Sequence, residues 1–319
     1  MSSSISSSKR SVATFIAGFA AVFMICAGAS EWLVRTQVAP IDTMTQHAAD
    51  FRVQTSAHVA FGDSRLSRGF AAKAPFQNLA YPSENLDQIA WKIETYVARN
   101  GAPKQMILQA DPHMFAAYRL NVGLGDYETM LGAPSDLPRL MMLDKHHKPK
   151  VRKYWESYVS NGGKLTSKIE RTDRGTLLSP GDLSKTTEAV RAEHSRQRSE
   201  IHIPVPGFAE TEQAANYAAL VRKLSAAGTE ICLVQTPTSL DYKAALAVLP
   251  ESDKDRIVQV ESWFAALALE TGARHVSLRD LTAERKRFRD VDHLNAEGAL
   301  FYADTFTNRC FSPEQGLTS

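Results

Sequence analysis

The sequence predicts an α/β domain built on a parallel sheet and carried behind one N-terminal apolar helix. Three observations predict it. Five apolar, β-prone runs of four to seven residues alternate with segments of helical spacing, which is the signature of βαβ units. Residues 11–30 form a stretch of 20 positions without a charge. The whole chain of 319 residues has ordinary globular composition, 44% apolar and 23% charged, enough for one sizeable core.

The elements follow in order. Residues 1–10 read as a cytoplasmic tail ending in Lys9 and Arg10, and the first thirty residues contain no acidic group. As a helix rising about 1.5 Å per residue, residues 11–30 match a hydrocarbon core of about 30 Å, so 11–34 is expected to be a transmembrane anchor. The basic flank places the chain after Glu31 outside the cytoplasm. Ala27-Gly28-Ala29 has the form of a processing site, but the apolar stretch exceeds the roughly 7–15 residues of a signal-peptide core, which favours an uncleaved anchor. Both readings export the domain, with the anchored one in the inner membrane and its domain on the periplasmic or other extracytoplasmic side. Residues 35–56 read as a juxtamembrane linker with one helix.

The strand runs are 58–61, 76–80, 105–110, 230–236 and 275–278, each short enough to be buried on both faces of a sheet. Between the second and third, Leu86, Ile89, Ala90, Ile93 and Val97 keep helical spacing, and Gly101 ends the helix. Ala214, Tyr217, Ala218, Val221 and Leu224 do the same before Gly228, residues 257–269 give a further helix, and residues 296–306 a last one after Asn295. Residues 111–209 lack this rhythm and are expected to form a mostly helical insertion over the crevice. Within it the basic run 145–153 reads as a solvated face, with contact to an anionic glycan, lipid headgroup or partner as the alternative. Its pair His146-His147 is not expected to bind metal, because neighbouring side chains on a helix or strand diverge. Cys26, Cys232 and Cys310 do not read as a disulfide framework and are expected to be packing residues. A formal net charge of +2 gives no field suited to nucleic acid, which removes that class of partner.

Ligand crevices of parallel sheets open at the carboxyl ends of the strands, where Ser64 follows the first run in "HVAFGDSRL". Asp290-Val291-Asp292-His293 stands in the loop before the last helix. A serine hydroxyl needs a base to become a nucleophile, and the base needs a carboxylate to fix its tautomer. All three residue types are predicted at one rim. Asp63 is expected to hold the turn through backbone N–H groups, and Arg65 and Arg68 to form ion pairs on the first helix turn.

Gly62-Asp63-Ser64 after the first strand, with Asp290-x-x-His293-Leu294-Asn295 before the last helix, resembles the SGNH (GDSL-type) serine hydrolase family over residues 57–308. The resemblance implies a five-stranded, flavodoxin-like doubly wound sheet. It implies Ser64 as nucleophile, His293 as general base and acid, and Asp290 as orienting carboxylate, with Asp292 the competitor for that role. Two family positions differ here. The glycine whose N–H helps form the oxyanion hole corresponds to Ser83, and the asparagine after the third strand to Asp111. An ionised Asp111 would repel an oxyanion, so it is protonated, turned away, or replaced by His113, Asn78 or Asn85. The resemblance implies an exported serine esterase acting on O-acyl, chiefly O-acetyl, esters of an envelope or extracellular polysaccharide, without cofactor or metal. Proteins of this layout also resemble the partners of membrane-bound O-acyltransferases, which makes polysaccharide O-acetyl transfer the alternative. The departures at Ser83 and Asp111 leave a non-catalytic glycan-binding or scaffold protein as the third reading.

Overall fold

The structure, a computed structural model of the chain, describes residues 5–125, 127–132, 140–279, 281 and 284–312, with side chains from residue 12 onward. The expectations for the extreme N-terminus and for the tail beyond residue 312 lie outside the described residues. The chain divides into two compact units, one of residues 1–48 and 132–167 and the other of 49–131 and 168–319. The stretch 111–209, expected as one insertion, is thus shared between both.

In the first unit, helix α1 (Ile5–Leu33) continues into a π-helical turn at Val34–Val38. Val12–Val38 is long and apolar enough to cross a membrane or to serve as a signal sequence. Phe15, Phe19, Phe23 and Ile25 are all exposed along it. At its end the pattern changes: Leu33 and Val34 are buried, and the Glu31 carboxylate accepts the backbone N–H groups of Met141 and Met142 at 3.0 Å each. Helix α2 (Thr43–Val53) supplies the helix expected in the linker.

The second unit holds the sheet. Its strands are β1 (His58–Phe61), β2 (Gln77–Asn78), β3 (Gln105–Gln109), β4 (Glu230–Gln235) and β5 (Arg274–Ser277), all parallel, in the order 2-1-3-4-5. Each of the five apolar runs therefore supplies one strand. The order reverses between β1 and β3, the switch point at which a doubly wound sheet opens its crevice. Period-2 alternation decides which helix each strand residue meets. Ala60, Ile107 and Cys232 pack with Leu66 and Phe70 of α3 (Ser64–Gly69) and its flank, and with Tyr302 and Phe306 of α10 (Ala296–Phe311). Phe61 points the other way, 5.9 Å ring to ring from Tyr96 of α4 (Leu86–Asn100). Helix α4 starts where the sequence places it because Asn85 and Gln88 form a reciprocal capping box. Also described are α5 (Val151–Ser160) in the first unit, and α6 (Glu188–Ile201), α7 (Glu212–Ala226), α8 (Leu240–Ala247) and α9 (Glu251–Thr271) in the second.

Three expectations are corrected here. Cys232 and Cys310 are not separate packing residues but a disulfide, with Cα atoms 5.4 Å apart across 78 positions. Cys232 lies on the face of β4 that α10 covers, so the last turn of that helix delivers Cys310 to it. Helix α10 runs to Phe311, past the expected domain end at 308. His146 and His147 do not diverge; they sit in a turn, and their ring centroids are 4.8 Å apart. The argument from helix and strand geometry does not apply to a turn.

Candidate active site

The chain leaves β1 through Gly62 and enters α3 at Ser64. A Cβ on Gly62 would stand 2.4 Å from Gln109 Oε1 and 2.8 Å from Gln109 Cβ, so only glycine passes. That same Gln109 oxygen accepts the Asp63 N–H at 2.6 Å. Asp63 caps α3, its Oδ1 accepting the Arg65 N–H at 2.9 Å, while Oδ2 accepts from His113 Nε2 at 2.8 Å and from Arg119. Burial alone would raise the Asp63 carboxyl, but Arg119 and His113 hold it well below the usual carboxylate range. Ser64 is thereby fixed at the first helical position, where its own N–H has no intrahelical acceptor.

His293 comes from the loop before α10. Arg289 N donates to His293 O at 2.9 Å, Ser239 Oγ donates to Val291 O at 2.7 Å, and Asn295 Nδ2 donates to Gly181 O and Lys286 O at 2.7 and 2.6 Å. So braced, His293 Nε2 lies 2.8 Å from Ser64 Oγ and its Nδ1 lies 2.8 Å from Asp290 Oδ1. Asp290 Oδ1 also accepts the His293 backbone N–H at 3.0 Å. Asp292 is a second neighbour, its Oδ1 3.4 Å from the same Nδ1. The shorter contact is that of Asp290, yet Asp290 is about a third exposed and Asp292 is buried. Burial pushes the imidazolium down, and the Asp292 charge with the Asp290 hydrogen bond overrides it, raising His293 from 6.5 to about 9.

Arg65 forms ion pairs, but not on its own helix turn. It is buried, with Nη2 3.2 Å from Asp292 Oδ2, Nη1 3.8 Å from Asp111 Oδ1 and Nη2 3.1 Å from His202 Nδ1. It therefore ties the residue after Ser64 to the residue before His293. Arg68 makes no ion pair within 4.0 Å among the described residues, and its Nε is buried without a hydrogen-bond partner; on α3 it stands one turn after Ser64, on the same face.

Ser83 and Asp111 fare differently. Ser83 has φ of 69°, the left-handed conformation that a glycine would take, so the backbone expected of a glycine is present in a serine. The loop is tied to the nucleophile turn by Arg119, whose Nη1 donates to Glu84 O at 3.1 Å while Nη2 holds Asp63. Asp111 is not an oxyanion donor. Its carboxylate is fully buried and accepts from Gln109 Nε2 at 2.8 Å, Thr236 N at 3.1 Å and Thr236 Oγ1 at 2.7 Å. None of the neighbours named for that role takes it. Asn78 Nδ2 donates to Leu66 O and Phe70 O, and Asn85 Nδ2 to Gly123 O. His113 is held neutral by burial and the nearby Arg65 charge; with its proton on Nε2 toward Asp63, the buried Nδ1 is a bare acceptor.

Sequence reading missed Gln109, Arg119, His202 and the Arg65–Asp292 link. No local spacing marks them, since Gln109 meets Asp63 across 46 positions, Arg119 meets Asp63 across 56, and Arg65 meets His202 and Asp292 across 137 and 227. As a chemical device the arrangement can move a proton from Ser64 Oγ to His293 and hold the resulting imidazolium against two carboxylates.

The chain matches no protein-family model and no curated protein. Among solved structures it is similar to "The structure of a putative platelet activating factor from Streptococcus pneumonia", at 12% identity and a TM-score of 0.41, over 90% of this chain and 99% of that one.

Proposed function

We propose that the protein is an exported serine esterase of SGNH type, acting on O-acyl esters of an envelope or extracellular polysaccharide through an acyl-Ser64 intermediate. The observation that carries this reading is the line Ser64 Oγ–His293 Nε2–Asp290, at 2.8 Å and 2.8 Å. In the proposed reaction, neutral His293 takes the Ser64 proton as Oγ attacks the ester carbonyl. The backbone N–H groups of Ser64 and Ser83 receive the developing oxyanion. Collapse expels the sugar alkoxide, which the His293 imidazolium protonates, and leaves the acyl group on Oγ. An incoming water or second hydroxyl then gives its proton to His293 and takes the acyl group, and as the acyl–Oγ bond breaks the imidazolium returns that proton to Ser64 Oγ.

Export is supported by the N-terminal apolar helix and by the Cys232–Cys310 disulfide, since such bonds persist in oxidising compartments. The same helix would keep the domain beside a membrane-bound acyl donor, which favours sugar-directed O-acetyl transfer as the second reading. A fluorophosphonate probe on the full chain, followed by turnover of an aryl acetate with and without an oligosaccharide acceptor, tests these readings together. Labelling and acyl release that vanish in Ser64→Ala are expected. Acyl groups appearing on sugar rather than in water would assign transfer. An intact protein that neither labels nor turns over would leave the glycan-binding or scaffold reading.

A further inference from the structure

A second group of ligand-type side chains converges wholly within the unit of residues 1–48 and 132–167. We propose that Asp42, His146 and His147 form a zinc site. One ligand atom from each lies within 4.8 Å of the others. His146 Nε2 stands 3.0 and 2.9 Å from the two Asp42 carboxylate oxygens. His147 Nε2 stands 3.2 Å from Thr45 Oγ1, which is itself 2.9 Å from Asp42 Oδ2. Both imidazoles therefore turn the same nitrogen toward one carboxylate, an arrangement that adjacent residues reach only because they occupy a turn.

The donor set is two imidazoles and one carboxylate, with no thiolate. That is a nitrogen and oxygen set suited to Zn²⁺, with a water completing the tetrahedron. Zinc bonds of about 2.0–2.2 Å place tetrahedral ligand atoms about 3.3–3.5 Å apart, so the Asp42–His146 pair must open by a few tenths of an ångström. The outer contacts match as well. His147 is buried, and its Nδ1 lies 3.4 Å from Tyr154 Oη, an acceptor that would fix the ring with Nε2 free for metal. Lys150 Nζ opposes loading, at 3.4 and 3.5 Å from the ring nitrogens of His146. It sits on a flexible four-carbon stem and is only half-buried, so it swings to solvent when the cation enters. Asp42 and His146 are 104 positions apart. Zinc would thus clip the juxtamembrane segment to the 141–150 loop and close a long loop of chain.

The test strips full-length protein in detergent with a chelator, then titrates Zn²⁺ against a chromophoric chelator and Co²⁺ for its visible absorption. One tight Zn²⁺ per chain is expected, with a four-coordinate Co²⁺ spectrum. Affinity should fall about 100-fold or more in Asp42→Asn and in His147→Ala, and rise in Lys150→Met. Asp290, Asp292 and His293 also lie within 4.8 Å of one another, so His293→Ala is the control, and binding should survive in it. Wild-type protein that takes up no stoichiometric zinc overturns the proposal. So does binding lost in His293→Ala and retained in His147→Ala.

Discussion

At the scale of single residues the decisive group is His293, because its two carboxylates do different work. Asp290 makes the shorter bond to Nδ1 and fixes the ring, while buried Asp292, held by Arg65, supplies the larger charge effect. A base must be neutral to accept the Ser64 proton. With His293 raised to about 9, the neutral form gains ground as pH rises, so kcat/KM on an aryl acetate should climb along an alkaline limb that levels near that value. Asp292→Asn should move the limb to lower pH. Glu84, raised to about 7 by burial, and Lys92, lowered to about 8 by burial, titrate in the same range beneath the 81–85 loop, and the variant separates their contribution from that of His293. A limb that stays in place in Asp292→Asn would refute the assignment. Stability runs the other way. A histidine whose folded pKa exceeds its unfolded value stabilises fully below the unfolded value near 6.5, and this is lost as pH passes about 9. Ser64, His293 and Asp290 were legible because each belongs to a short motif at a strand or helix end. The roles of Asp111 after β3 and Arg65 on α3 were not, since a carboxylate or a guanidinium looks alike in sequence whether it faces solvent or a distant partner.

The elements themselves were legible wherever packing imposes a period. The five strands and helices α4, α7, α9 and α10 bury one or two faces against the sheet, and that burial is written as apolar spacing. Residues 111–209 held no such spacing because much of their anchoring is polar and specific: Asn78 N donates to Arg174 O at 2.8 Å, and Thr176 Oγ1 donates to Phe70 O at 2.8 Å. Gly175, with φ of 84°, approaches so closely that a Cβ would lie 2.1 Å from Asn78 O. The junction of β1 and α3 is the most exacting element. Gly62→Ala pushes a methyl group into Gln109, whose Oε1 holds Asp63 and whose Nε2 holds Asp111. Overpacking of this kind costs about 1–3 kcal/mol. Denaturant unfolding should show that loss, and fluorophosphonate labelling of Ser64 should slow by more than global destabilisation explains, because α3 starts from the displaced residue. Equal stability and equal labelling in Gly62→Ala would mean that the Gln109 bracket does not position the serine.

At the scale of the molecule, the Cys232–Cys310 bond encloses the segment that carries α8, α9, β5 and the loop of Asp290 and His293. Nothing local announces it, since the two thiols are 78 positions apart and meet only once α10 has packed on the sheet. Both half-cystines are buried in the cluster that joins Ala60, Val234 and Phe306, so the bond links β4, next to the edge strand β5, to the last helix. Cross-linking a loop of that length removes denatured-state entropy worth about 4 kcal/mol in the chain-entropy account. Chemical denaturation of the full chain in detergent, with and without reductant, should therefore show a midpoint falling by an amount equivalent to a few kcal/mol. Cys232→Ala with Cys310→Ala should reproduce most of that fall in the absence of reductant and abolish the response to it. The loss should appear first where the closed loop returns to the site, as exposure of the 288–295 loop to proteolysis before β1 or β3 opens. Equal midpoints in oxidised protein and in protein with three titratable thiols, those of Cys26, Cys232 and Cys310, would show that packing of α10 holds the last helix without the bond.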